Sequence, residues 1–283
     1  MNSWKGTLAV CRETWAESLA KPQFFAALLF IFIYTAMQNL NTVAMYAQDA
    51  GRLMVPEVII FSLGGSLDYL FLVAGFYIFL MQAPFLARTD AVFLPRVQRG
   101  AWIWGKLLFV TQYLLLATLA NNAFTVLVCA PYIDFSRWAA WTPYLVENLY
   151  LGDAIEAVTP LYGLFCTWLL NLSLLLSIAL LTLFLNLYYR RTFSLLAVGA
   201  LCVSSLIVDM SGPRYARLDP IAHATFLSHQ FQGVDNVLGG PAHFTPAIWE
   251  SFLLYGAACA ILLFLILRRV RCYDFQMNGK GMN

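Results

Sequence analysis

The chain has 283 residues, of which 61% are hydrophobic and only 11% charged, and its mean hydropathy is +0.70. Soluble globular proteins carry about 25% charged residues, so this composition excludes an ordinary soluble domain and indicates an integral membrane protein. The net charge of +2 is small, and nothing in it indicates a nucleic-acid partner.

Residues 1–22 predict an amphipathic helix that lies in the membrane plane. An apolar stripe recurs at helical steps of three and four and consists of Trp4, Leu8, Cys11, Trp15 and Leu19. Pro22 ends this helix, and its tryptophans and cations suit the headgroup zone. The other interpretation is a soluble helix packed on a partner. No small-residue cleavage site follows the apolar run that starts at Phe24, so we expect no removable signal peptide.

Six apolar runs predict transmembrane helices, because crossing about 30 Å of hydrocarbon takes roughly 20 helical residues. The runs are residues 24–42, 58–83, 107–130, 161–188, 193–208 and 247–267. Lipid leaves backbone amides without partners, and the runs lack the period-two alternation of a barrel, so each is expected to be helical. The predicted fold is an all-α integral membrane protein with a single transmembrane domain over residues 1–283.

The positions of lysine and arginine predict the orientation. If the N-terminus is cytoplasmic, 13 of the 17 cations fall in cytoplasmic segments and 4 in outer segments. Cytoplasmic loops of membrane proteins carry this excess, so six spans with both termini cytoplasmic are expected. The expected location is the cell membrane (the inner or cytoplasmic membrane), crossed several times.

Residues 99–106, "RGAWIWGK", match the G-x-x-x-x-G-K spacing of a phosphate loop through Gly100, Gly105 and Lys106. A phosphate loop requires Ser or Thr after the lysine to hold magnesium, and here that residue is Leu107. Bulky residues between the glycines favour a membrane surface instead. Ordinary positive-inside anchoring explains the run formed by Arg99, Trp102, Trp104 and Lys106.

Residues 84–106 form a predicted cytoplasmic loop between spans two and three. Its first part, residues 85–94, is expected to be a short helix that stops at Pro95. The apolar cluster Val92, Phe93 and Leu94 would stand outside the bilayer, and exposed apolar patches tend to mark partner sites.

The outer segment 209–246 is expected to be partly embedded, as a re-entrant pair of short helices. It contains His223, His229 and His243, whose spacings of six and fourteen fit no zinc pattern. The six cysteines have no metal or disulfide spacing. We therefore expect no metal site.

Asp68 is an ionisable residue well inside the second predicted span. A charge in this position is costly and by default suggests function, here a polar cavity or a proton relay. The structural interpretation is a hydrogen bond to a neighbouring helix, aided by close approach at Gly64 and Gly65. Asn121 and Asn122 are expected either to line a path between the helices or to form a contact between helices. Together with Gln112, Asn171 and Asn186 they could also be partners of Asp68, although such amides usually hold membrane helices together.

Together these features resemble the permease subunits of ATP-binding-cassette exporters, the type-2 family. The matching parts are the in-plane helix, the basic loop closing on "WGK", the proline-bearing segment 209–246 and the basic ending "LRRVRCYDF". The resemblance implies a coupling helix that docks on a separate ATPase subunit, through Arg88, Asp90, Phe93, Leu94 and Arg96. It also implies a second permease copy, ATP and magnesium bound only by the ATPase, and an extracellular gate in segment 209–246.

Two other classes of function remain open from the residues. An ion-coupled secondary transporter would use Asp68, although no convincing internal repeat supports it. An intramembrane enzyme is a weaker third hypothesis, because the sequence has no metalloprotease motif, nucleophile elbow or paired acidic motif. We expect no catalytic residue and no cofactor in this chain.

Overall fold

A computed structural model describes most of the chain. The described residues are 3–63, 66–83, 85, 98–138, 140–143, 159–189, 191–210, 222–224 and 248–272. Within them, β structure is confined to an isolated bridge between Leu53 and Ile133. The prediction of an all-helical membrane protein is confirmed for this part of the chain.

Eight α-helices account for most of the described residues. They are α1 (Ser3–Leu19), α2 (Pro22–Ala50), α3 (Val55–Ser62), α4 (Ser66–Leu80), α5 (Arg99–Val128), α6 (Pro160–Tyr188), α7 (Arg191–Met210) and α8 (Ile248–Cys272). Short 3-10 turns occupy Ala130–Tyr132 and Ala222–Ala224. Proline stands in the first turn of α2, α3 and α6, where its missing N–H costs nothing.

Five of the described helices are long and apolar enough to cross a membrane. They are α2, α5, α6, α7 and α8, and they overlap the predicted spans 24–42, 107–130, 161–188, 193–208 and 247–267. The observed helices extend beyond the apolar runs. For example, α5 begins at Arg99 and α2 continues to Ala50. Backbone hydrogen bonding continues through polar residues, whereas hydropathy records only the apolar part.

The predicted span 58–83 is not a single helix. In its place α3 ends at Ser62 and α4 begins at Ser66. The sequence between them contains Gly64 and Gly65, and glycine is a poor helix former. At 1.5 Å per residue the two helices measure about 12 Å and about 22 Å, so neither alone spans the hydrocarbon.

The segment containing α3 and α4 contacts both ends of the α5–α6 pair. Near its start, the Leu53 N–H donates to the Tyr132 carbonyl at 2.9 Å, just beyond the C-terminal end of α5. Near its end, the Asn186 amide donates to the Ala83 carbonyl at 2.7 Å, close to the C-terminal end of α6. Val126, near the end of α5, and Leu161, near the start of α6, line the same groove, as do Leu119 and Trp168. The two helices are therefore antiparallel, and these contacts lie at opposite ends of the pair.

An aromatic cluster forms the centre of the larger core. Phe79 and Tyr113 lie with ring centroids 4.4 Å apart, and Phe24, Phe85 and Phe109 also pack against Phe79. These rings come from α2, α4, the residue Phe85 that follows α4, and α5. The packing holds the start and the end of the predicted cytoplasmic loop against the same group of helices.

The helix α1 packs along α5, and the predicted apolar stripe does not form one surface. Trp4, Leu8 and Leu19 are exposed, whereas Cys11 is buried and Trp15 is half-buried against α5. The predicted amphipathic helix in the membrane plane is therefore not confirmed. The buried face is made of smaller residues because α1 approaches α5 closely.

Most of the predicted re-entrant segment 209–246 lies outside the described residues. The described parts are the end of α7 and the turn Ala222–Ala224, which packs against α6 and α8.

Candidate functional site

The docking residues predicted from the sequence lie outside the described residues. They are Arg88, Asp90, Phe93, Leu94 and Arg96. The two attachment points of their segment are described, namely Phe85 at its start and residues 98–106 at its end. The structure therefore defines how the candidate coupling segment is held, rather than the surface that it presents.

A buried lysine joins the two attachment points. Lys106 is 1% exposed, and its Nζ donates to the Phe85 carbonyl at 2.8 Å. The same Nζ lies 5.7 Å from the centroid of the buried Trp102 ring. An ammonium group buried in this way is tolerated only with close polar or aromatic partners. The prediction of Lys106 and Trp102 as surface anchors is therefore wrong, whereas Arg99 and Trp104 are exposed as expected.

Phe85 adopts a conformation that most residues avoid. Its φ is 54°, in the left-handed region, and its side chain is 3% exposed. This conformation costs of order 1–3 kcal/mol and persists only where the surroundings fix it. Here the Lys106 bond and the aromatic cluster around Phe79 fix it.

Two further contacts hold the same region. The Asn186 amide of α6 donates to the Met81 carbonyl at 3.3 Å, in addition to its shorter bond to Ala83. The Arg99 guanidinium donates to the Arg271 carbonyl at 2.6 Å, which joins the start of α5 to the end of α8. The ends of α4, α6 and α8 and the start of α5 are thereby connected at one end of the molecule.

The helix α1 is joined to α5 through Gln112. The Gln112 Oε1 accepts from the Trp15 indole at 2.9 Å and from the Cys11 thiol at 3.4 Å. Burial raises the pKa of the Cys11 thiol, and the positive charge of Lys106 offsets part of that effect. The thiol is therefore kept protonated at neutral pH and acts as a donor.

Asn121 is a contact between helices. Its Oδ1 accepts from the Thr35 hydroxyl of α2 at 2.7 Å, and the Asn39 amide of α2 donates to the Thr125 hydroxyl at 3.1 Å. A cavity of about 10 Å³ adjoins Asn121, which is at the lower limit for one water molecule. Asp68 belongs to the first turn of α4, and its side chain lies outside what the structure describes.

Asn122 faces a different environment, an apolar groove between α5 and α6. The groove has a volume of about 620 Å³, and Leu119, Val126, Leu164 and Phe165 contribute to its walls. Asn122 is the polar residue among those that line the groove, and Trp168 lines it with an indole ring whose nitrogen is buried. The consecutive residues Asn121 and Asn122 therefore have different surroundings: Asn121 contacts α2, whereas Asn122 lines the groove between α5 and α6.

A buried carboxylate at the opposite end of the bundle was not predicted from the sequence. Glu57 is 0% exposed and accepts from the Met54 N–H at 2.8 Å. It also accepts from Thr142, from the backbone N–H at 2.6 Å and from the hydroxyl at 2.8 Å. Glu57, the third residue of α3, bonds back to the N–H of the N-cap residue as the glutamate of a capping box does. The N-cap residue is Met54 rather than Ser or Thr, so the sequence pattern of that motif is absent.

One of the three histidines lies in the described residues. His223 is buried, and its Nδ1 lies 2.7 Å from the Ser251 hydroxyl of α8. His229 and His243 lie outside the described residues. Within the described part of the chain, no three His, Cys, Asp or Glu side chains are grouped so that they could hold a metal ion.

Comparison with known proteins gave no match, whether against family models, curated proteins or solved structures.

Proposed function

We propose that this chain is the membrane-spanning permease subunit of an ATP-driven exporter, and that ATP is hydrolysed on a separate subunit. Two copies of the chain enclose the path, and the segment 84–106 couples each copy to the ATPase. Both termini and the coupling segment lie in the cytosol of the cell that carries the protein in its cytoplasmic membrane. The chain supplies no catalytic residue and no cofactor.

Six crossings are part of this proposal. The five long helices supply five, and α3 with α4 supplies the sixth. Together these two helices measure about 34 Å, which exceeds the hydrocarbon thickness of about 30 Å. The contacts of Leu53 with Tyr132 and of Ala83 with Asn186, at opposite ends of the α5–α6 pair, support this crossing.

The observation that carries the proposal is the buried bond between Lys106 and Phe85. Both ends of the candidate coupling segment meet at this bond, and Asn186 and Arg99 extend the connection to α6 and α8. A displacement of the segment by a partner would therefore move several membrane helices together. An unanchored loop would absorb the same displacement without moving them.

Copurification with an ATPase subunit tests the proposal. The purified membrane fraction should contain a soluble subunit with a complete phosphate loop bound to this chain. Phe93→Asp should remove that subunit and abolish ATP-dependent transport, because it places a charge in the proposed apolar docking surface. Phe135→Asp is the matched control, since Phe135 is exposed in a predicted outer segment. Both variants should insert into the membrane to the same extent.

A secondary transporter is the second candidate, favoured by the interruption between α3 and α4. Interrupted membrane helices often bind ions or substrates at the interruption, and Asp68 lies in the first turn after it. In that case Asp68→Asn abolishes transport driven by a proton gradient, and Phe93→Asp leaves transport unchanged. This pair of results would replace the proposal of an ATP-driven exporter with one of ion-coupled transport.

A further inference from the structure

A second groove lies between α1 and α5, on the surface of the molecule. It has a volume of about 540 Å³, and α1 contributes Trp4 and Thr7 to its lining. The residues of α5 that line it are Trp104, Leu107, Leu108 and Thr111. Both tryptophans are open to the surroundings, with Trp4 65% and Trp104 47% exposed. A ligand therefore reaches this groove without movement of either helix.

The helices α1 and α5 run side by side in the same direction. A Cβ at Gly105 would lie 2.7 Å from the Val10 Cβ, and further along both helices the Gln112 Oε1 accepts from the Trp15 indole. Residue numbers therefore rise together along the pair. Over residues 104–111 of α5 the groove is about 10 Å long, and its first part lies beside the first turn of α1.

The α5 side of the groove continues into an apolar face that is open along the same helix. Leu115 and Leu119 follow Thr111 at helical steps of four, and Leu119 is 46% exposed. The helix α5 is long and apolar enough to cross a membrane, and exposed leucines on such a helix contact lipid chains. A chain that lies in the groove can therefore continue along this face, which favours a membrane lipid over a soluble ligand.

The exposed side of α1 next to the groove is cationic. At 3.6 residues per turn, Lys5 and Arg12 lie about 80–100° around the helix from Trp4, and both are exposed. Glu13 and Glu17 lie on the opposite side of α1, about 140–180° from Trp4. The groove therefore has two cations at its rim, and no acidic residue lines it.

We propose that this groove binds a phospholipid with an anionic headgroup. One acyl chain lies over Leu107 and Leu108 and continues along α5, and the headgroup phosphate lies at the level of Trp4 beside Lys5. Arg12 lies two turns after Lys5, and its side chain reaches back toward the phosphate because helical side chains tilt toward the N-terminus. Tryptophan suits this depth of a membrane, since its ring is apolar and its N–H is polar.

Photolabelling of the full chain in phosphatidylcholine nanodiscs tests the site. The two probes are phosphatidylglycerol and phosphatidylcholine with the same diazirine-bearing acyl chain, each added at the same low fraction. The groove peptide, residues 104–115, should be labelled about 25-fold more by the anionic probe, since each of the two cations favours an anionic lipid about fivefold. Residues 249–264 of α8 also have exposed apolar side chains, and there the ratio of the two probes should be near one.

Substitutions at the rim separate headgroup binding from stability. Lys5→Gln and Arg12→Gln should each lower the ratio of the two probes in the groove peptide about fivefold, because each removes one cation. Neither should change the unfolding midpoint, since both side chains are exposed. Arg137→Gln is the control: it removes the same charge from an exposed residue beyond the other end of α5 and should leave the ratio unchanged.

Three results would overturn the site. A probe ratio in the groove peptide equal to that in α8 would show ordinary contact with lipid. An unchanged ratio in both Lys5→Gln and Arg12→Gln would show that these cations do not hold the headgroup. Efficient disulfide cross-linking between two copies through Trp104→Cys would show that a second chain covers the groove. None of these results depends on an ATPase subunit, so this site and the proposed function are tested separately.

Discussion

Gly100 and Gly105 share a helix and a sequence motif but have different surroundings. Both lie in α5, so the backbone around them is helical and unlike the glycine-rich loop that surrounds phosphate. A side chain at Gly100 would meet nothing within 4 Å. A Cβ at Gly105 would lie 2.7 Å from the Val10 Cβ and 2.8 Å from the Thr7 carbonyl oxygen. Gly105 is therefore needed for the close approach of α1.

The pair Gly105→Ala and Gly100→Ala tests this requirement. Gly105→Ala should lower the free energy of unfolding by about 1–3 kcal/mol, because the backbone of α1 must move away. Gly100→Ala should raise it by up to about 1 kcal/mol, since alanine restricts the unfolded chain and fits the helix. Denaturant unfolding in detergent micelles measures both values. Equal stabilisation by the two substitutions would contradict the close packing of α1 on α5.

The burial of Lys106 and Glu57 could not be predicted from the sequence. Hydropathy assigns both to the surface, yet they are 1% and 0% exposed. Their partners are the Phe85 carbonyl, 21 residues away, and Thr142, 85 residues away. Such long-range pairing leaves no local pattern. Asn121 was assigned either to the path or to a helix contact; its bond to Thr35 is a contact between helices, and a role in the path stays a prediction.

At the scale of elements, α2 and α5 are joined by two neighbouring polar contacts. Thr35 bonds Asn121, and Asn39 bonds Thr125 one turn further along both helices. Thr125 also donates to the Asn121 carbonyl at 3.0 Å, which connects the two contacts. In lipid, apolar surfaces do not drive helices together, so contacts of this kind fix which helices pair.

A double-mutant cycle with Thr35→Val and Asn121→Leu measures this pairing. The coupling energy should be about 0.6–1.7 kcal/mol, the range found for hydrogen bonds between membrane helices. Each single variant should lose that energy, and the double variant should lose little more. A coupling energy near zero, together with loss of transport in Asn121→Leu alone, would indicate that Asn121 lines the translocation path.

The ends of helices could be predicted from the sequence only where hydropathy changes at the end of the helix. The apolar run 161–188 nearly coincides with α6, because Pro160 and the cap Thr159 begin the helix at the edge of that run. Hydropathy did not reveal the end of α3 at Ser62, since the residues on both sides are equally apolar. Gly64 and Gly65 were the available signal, and they were interpreted as a packing feature rather than a helix end.

At the scale of the whole molecule, the number of crossings decides the side of every loop. With six crossings, 13 cations are cytoplasmic and 4 are outside. If α3 and α4 did not cross, Arg52 and the segment 84–106 would lie on one side of the membrane. Two observations favour the crossing. One is the distribution of charge, and the other is that residues 53–85 contact both ends of the α5–α6 pair.

Cysteine labelling of Arg52→Cys and Arg96→Cys tests the crossing directly. Both substitutions are made in a chain whose six native cysteines are replaced by alanine. A membrane-impermeant maleimide should label Arg52→Cys in intact cells, because Arg52 is exposed in a predicted outer segment. It should label Arg96→Cys only after permeabilisation. Labelling of both from outside, or of neither, would mean that α3 and α4 do not cross. In the first case the ATPase would also have no cytoplasmic surface at residues 84–106.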